Sequence, residues 1–174
     1  MAEQTYRGPF VITGLSGSGK TVLSRSLEDL GYVCVDNIPL EMVPELFSTS
    51  KAELEKLVVV VDVRTRGLTE KFAEIFSELS RMCSALRIVF VEATPIVLMR
   101  RFSIARRPHP LRDRSLEQAI ADERASLMPV RELADLIIDT THLTPHDLKR
   151  QILSLAGSTE SAQRMLVAVE SFSY

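Results

Sequence analysis

Long apolar runs are missing from this sequence. None approaches the 18 or so residues that a membrane-spanning helix needs, and the opening MAEQTYRG has no apolar stretch of the kind that marks a secretory leader. A cytoplasmic protein with no membrane partner is the expectation. Cysteine is scarce too: Cys34 and Cys83 have no metal-ligand spacing, and each is expected to be a buried free thiol. Charge of one sign is not in excess. A net charge of −2 and a pI near 6.0 argue against a globally basic nucleic-acid binder, while leaving local basic patches open. Repeats and low-complexity tracts are absent. The 174 residues, 45% hydrophobic and 25% charged, are most simply one globular domain large enough to bury a core.

What the sequence does contain is GLSGSGKT, residues 14 to 21, which fits G-x-x-x-x-G-K-[ST]. Gly14, Gly19, Lys20 and Thr21 fill the specified positions, with Leu15, Ser16, Gly17 and Ser18 between. Gly17 and Gly19 lack a Cβ, so the backbone can curl and bring its N–H groups against a phosphate chain. Lys20 can reach the β- and γ-phosphates, and the Thr21 hydroxyl can ligate Mg²⁺. The flanks suit the motif. Phe10-Val11-Ile12 is a short apolar β-type run, and Val22, Leu23, Ser26, Leu27 and Leu30 follow at helical spacing, with Gly31 as a stop.

Further along, apolar runs at 32–35, 57–61, 86–91 and 136–138 read as buried strands. Helical patterns separate them, and a last helix runs from Pro145 to Leu155, capped by Thr144. Ser115 and Gln118 form a capping box for a helix ending near Leu127. Five strands alternating with helices predict a parallel sheet covered on both faces. Ligands bind such sheets beyond the strand carboxyl ends. Asp36, Asp62, Glu92 and Asp139 all fall at that edge.

Phosphates bring Mg²⁺, which needs oxygen ligands. The run Val58 to Val61 delivering Asp62 has the shape of a Walker B strand, and Glu92 is the rival metal carboxylate. Six arginines lie between Arg100 and Arg114. Nucleotide kinases place an arginine-bearing lid in this position, so Arg106 and Arg107 are candidates to neutralise transition-state charge. An RNA or protein contact patch and a solvated surface are the alternatives. His109, between two prolines, reads as a loop residue. Arg64 can contact a phosphate or a base edge, and Asp36 with Asn37 can bind a second substrate or position a water. No residue stands out as the general base for hydrolysis.

Taken together, SGSGKT at 16–21, LEDLGYVCVDNIPLEMVPEL at 27–46, DVRT at 62–65, IVFVEATPIVLMRRFSIARRPHPL at 88–111 and ELADLIIDTTHLTPHDLKR at 132–150 resemble the N-terminal domain of the bacterial RapZ/YvcJ family of nucleotide-binding proteins. The resemblance covers nearly the whole chain. It implies a P-loop NTPase fold, a kinase-like three-layer α/β/α arrangement around a five-stranded parallel sheet. It further implies binding of ATP and GTP and their slow hydrolysis, with Gly14 to Thr21 as the ATP loop and Asp62, Val63, Arg64 and Thr65 as the segment assigned to GTP. Two departures stand out: Glu92 where the family often has Asp, which puts a direct catalytic role for that carboxylate in doubt, and Thr65 where Asn or Ser-like residues occur.

The same resemblance divides the chain into a nucleotide-binding domain at 1–155, and a linker at 156–174 that opens a C-terminal domain with LVAVESFSY. In the family that second domain carries RNA and amino-sugar phosphate binding. The leading expectation is therefore the regulatory NTPase domain of an RNA-binding adaptor, with nucleotide, RNA and further copies of the chain as partners. The alternative is a small-molecule or nucleotide kinase that passes the γ-phosphate to an acceptor held by Asp36 and Asn37.

Overall fold

The computed structural model describes residues 8–49, 54–61, 68–105 and 115–155. Five strands, β1 (Phe10–Gly14), β2 (Val33–Asp36), β3 (Leu57–Val60), β4 (Arg87–Glu92) and β5 (Leu136–Asp139), form one parallel sheet in the order β2-β3-β1-β4-β5. Six α-helices accompany them: α1 (Lys20–Glu28), α2 (Val43–Thr49), α3 (Leu68–Met82), α4 (Pro95–Ala105), α5 (Leu116–Glu132) and α6 (Pro145–Leu155). A 3-10 turn at Leu40–Met42 leads into α2. Among the described residues no helix is long and apolar enough to cross a membrane.

Alternation along each strand makes the three layers. Val11, Val59, Ile88 and Phe90 point to one face, where they pack with Val43 and Phe47 of α2, Phe72 and Leu79 of α3, Leu98 of α4, and Ile120, Leu127 and Val130 of α5. Phe10, Ile12, Val58, Val60, Val89 and Val91 point to the other, against Leu23 and Leu27 of α1 and Leu148 and Ile152 of α6. Largely β-branched runs in β1, β3 and β4 thus serve two cores at once, as strands buried on both faces must.

Two elements differ from expectation. β2 is half exposed, with Val33 at 47%, because it lies at the sheet edge with one neighbour, β3. Cys34, on this strand, is accordingly a half-buried thiol rather than a buried one, and Cys83, just past the end of α3, is half-buried as well. α5 runs on past Leu127 to Glu132, through Pro129. The missing N–H at Pro129 costs the helix one bond, but Val130, fully buried one residue later, holds the last turn to the core. Both caps form as expected: Ser115 Oγ accepts from the Gln118 N–H, and Thr144 Oγ1 from the Asp147 N–H. Asp147 in turn accepts from the Thr144 hydroxyl, and its pKa is lowered to about 2, mainly by that bond.

The sheet edge that carries the loop depends on one close approach. Gly14 ends β1 with φ 132°, and a Cβ there would lie 2.0 Å from the Val91 carbonyl oxygen of β4. The next N–H, that of Leu15, donates to the same oxygen at 3.0 Å. Gly14→Ala must both strain the backbone and part β1 from β4, a loss of about 3 kcal/mol. The expected result is a melting temperature lower by roughly 6–12 °C, read by circular dichroism. An unchanged value would mean that the strands do not approach so closely.

Cys34 gives a pH-dependent signature. Burial, with Glu28 and Asp36 nearby, pushes its thiol pKa up to about 11 from an ordinary 9.0. The folded state therefore holds the proton more tightly than the unfolded one, and this contribution is present below pH 9 and lost as pH rises through about 11. In a Cys83→Ser background, alkylation of Cys34 at pH 8 should run roughly 100-fold slower than that of a free thiol and climb with pH.

Candidate phosphate-binding site

Residues 14–21 leave the carboxyl end of the central strand β1 and enter α1 directly. Gly19, φ 111°, stands just before Lys20, the first residue of the helix. The positive end of the helix dipole therefore faces whatever the loop holds. The loop is closed by a hydrogen bond from the Ser18 N–H to the Leu15 carbonyl at 3.1 Å. Gly17 is exposed, with φ 78°, and a Cβ there would come 3.2 Å from the Phe102 ring of α4. The missing side chain lets the Phe102 ring pack close to the loop, while the Gly17 backbone itself stays exposed. Lys20 Nζ donates to the carbonyls of Gly14 (2.7 Å) and Leu15 (2.9 Å), so its ammonium group lies over the loop. Thr21, in the first turn of α1, is exposed.

A second set of residues fixes the loop from outside, and sequence reasoning did not single these out. Arg101 of α4 spreads its guanidinium between the loop and the β5–α6 turn. Its Nη1 donates to the carbonyls of Gly17 (3.1 Å) and Ser18 (3.2 Å) and to the Thr140 hydroxyl (2.9 Å), and its Nη2 to the Thr140 carbonyl (2.8 Å). Burial lowers the pKa of Arg101, with the charge of Asp139 countering. The buried Thr140 hydroxyl donates to the Ser18 carbonyl at 2.6 Å. From α5, Glu123 accepts from the Ser16 N–H and, at 2.6 Å, from the Ser16 hydroxyl. The one visible sequence cue was the polar Asp139-Thr140-Thr141 run at a strand end. Helical periodicity gives no sign that Arg101 and Glu123 face the loop.

Glu92 is buried at the end of β4 and engaged elsewhere. Both its oxygens take hydrogen bonds from Arg131, at 2.9 Å each, and Arg124 lies 3.9 Å away. Withdrawing a carboxylate from such a pair costs about 3 kcal/mol even before new contacts form, so Glu92 serves the β4–α5 junction rather than a metal. Asp36 and Asp139 sit at the carboxyl edge as expected, Asp36 on the edge strand β2 and Asp139 bonded to the Thr141 N–H at 2.8 Å. Asp62, Val63, Arg64, Thr65, Arg106, Arg107 and His109 lie outside the described residues. Among the described residues no group of three or more His, Cys, Asp or Glu could hold a metal ion.

Arg101 can be tested apart from the loop's own residues. Arg101→Lys keeps the charge but not the planar fork that spans two carbonyls and Thr140. Loss of two or three hydrogen bonds at about 0.5–1.5 kcal/mol each should weaken nucleotide binding roughly tenfold, measured by titration with a fluorescent ATP analogue. Equal affinity would show that the loop holds its shape without the clamp.

Known proteins agree with this geometry. A nucleotide-binding protein of Acidobacterium capsulatum is 43% identical over 99% of this chain and 57% of its own length. A nucleotide-binding protein of Thermotoga neapolitana is 46% identical over 87% of this chain and 54% of its own. The chain thus spans a little over half the length of these relatives. Among solved structures, shikimate kinase from Acinetobacter baumannii in complex with shikimate superposes with a TM-score of 0.60 at 21% identity, over 88% of this chain and 93% of the kinase. That likeness shows a kinase-like P-loop α/β fold. The family model described as the RapZ-like N-terminal domain matches residues 9–159, and the chain belongs to that family of nucleotide-binding domains.

Proposed function

We propose that this domain binds ATP and GTP with Mg²⁺ at residues 14–21 and hydrolyses them slowly, as the regulatory domain of a RapZ-like RNA-binding adaptor. The observation that carries the first part is the loop itself, an exposed Gly17 and an overlying Lys20 between the central strand and a helix N-terminus. In this reading Thr21 and Asp62 share the metal, and Lys20 with Arg106 and Arg107 neutralises charge on the transferred phosphoryl group. Asp62 to Thr65 meets the guanine nucleotide. Residues 156–174 lead into a further domain, and contact with RNA or with other copies of the chain belongs mainly there. The protein works in the cytoplasm.

One observation favours a second reading, a kinase for a small molecule or nucleotide. Asn37, φ 61°, turns the chain just after Asp36 at the carboxyl edge of the sheet, the edge where an acceptor would be held. Mg²⁺-dependent phosphate release from ATP and GTP, with no acceptor added, separates the two. Hydrolysis predicts turnover in the wild type that falls about 100-fold or more in Lys20→Ala, since that ammonium is the group that would reach the β- and γ-phosphates. Tight binding without release leaves the kinase, or an adaptor whose nucleotide site serves only as a switch.

A further inference from the structure

Hydrolysis at a phosphate loop needs a group to orient water and take its proton, and the sequence offered no candidate. The described carboxylates narrow the choice. Glu92 is held by Arg131, Asp139 by the turn at Thr141, and Asp36 stands on β2, two strands from β1. Glu123 is different, because it contacts the loop. Its two oxygens lie 3.2 and 3.1 Å from the Ser16 nitrogen, and the Ser16 hydroxyl donates to it at 2.6 Å.

Ser16 belongs to GLSGSGKT, whose backbone N–H groups are the ones that cradle phosphates. A carboxylate that takes the Ser16 N–H therefore stands beside the phosphate-binding backbone. Like charges keep the two anions from sharing that donor. A water placed between them would accept from the loop side and donate to the carboxylate. Carboxylates of this kind serve as bases when geometry holds them within hydrogen-bond reach of the proton, and here two Ser16 donors and the rigid α5 fix the orientation.

We propose that Glu123 is the catalytic base of this domain, orienting the attacking water and taking its proton, with Ser16 as its positioning residue. The inference rests on the hydrolytic function proposed above. In the step, the water oxygen bonds to the γ-phosphorus, the bond from that phosphorus to the β–γ bridging oxygen breaks, and its electron pair stays on the nucleoside diphosphate. One water proton passes to Glu123 and is then released to solvent, leaving inorganic phosphate. No oxidant or further reactant is required.

Glu123→Gln keeps an oxygen to accept from Ser16 but cannot take a proton. Single-turnover release of labelled phosphate from ATP and GTP should slow about 100- to 10,000-fold, while affinity for a fluorescent nucleotide analogue stays within about threefold. Ser16→Ala, which leaves the N–H bond but removes the 2.6 Å contact, should slow release about tenfold. Wild-type release by Glu123→Gln overturns the proposal. So does a parallel fall of rate and affinity, which would mean that Glu123 only braces the loop. Should Glu123→Gln not fold, Glu123→Asp takes its place, and a rate equal to wild type overturns the assignment. Wild-type protein that binds nucleotide yet releases no phosphate removes hydrolysis itself, and the base with it, before any variant is compared.

Discussion

The contact between the end of β1 and β4 governs the rest of the structure. At Gly14 the strands come so near that a methyl group would overlap the Val91 carbonyl oxygen, and the Leu15 N–H then bonds to that same oxygen. The chain therefore leaves β1 in a fixed direction, curls over the carboxyl end of the sheet and enters α1 within six residues. A cradle made of backbone can be aimed only by what lies beneath and beside it, because its donors have no rotamers to adjust. Parallel pairing of β1 with both β3 and β4 supplies the base.

The sides come from charged and hydroxyl groups on α4, α5 and the β5–α6 turn. Arg101 holds the carbonyls of Gly17 and Ser18. The N–H of the first of these peptides, that of Ser18, closes the loop onto the Leu15 carbonyl, while in the second the planar trans peptide turns the Gly19 N–H away from Arg101. Thr140 adds a hydroxyl to Ser18, and Thr140 is itself placed by the bond from its N–H to the Glu92 carbonyl. The loop, β4 and β5 are thus joined into one hydrogen-bonded unit. Movement of α4 would reach Gly17 and Ser18 through both Arg101 and the Phe102 ring.

Two glutamates in unlike sequence settings acquire unlike surroundings. Glu92 ends an apolar strand, yet two guanidinium groups from α5 neutralise it, and its burial is tolerable for that reason. Glu123 lies mid-helix among polar residues and accepts from the N–H and the hydroxyl of Ser16. The pairing reverses the order of interest that strand position alone suggests, because Arg124 and Arg131, seven residues apart on α5, share the face that meets β4.

Sequence alone determined the phosphate loop, the alternation of strands and helices, the caps at Ser115 and Thr144, and the family. Each of these is written locally: glycines at fixed offsets, β-branched runs of four to six residues, a hydroxyl three residues before its partner. Tertiary structure decided the strand order, and with it the half exposure of β2, since nothing within Val33 to Asp36 says that one side will lack a neighbour. It also decided which polar side chains meet the loop. Arg101 and Glu123 lie 83 and 107 residues from their partners Ser18 and Ser16, and contacts at that separation are set by how α4 and α5 pack against the sheet, which a period of 3.6 residues constrains only to a face.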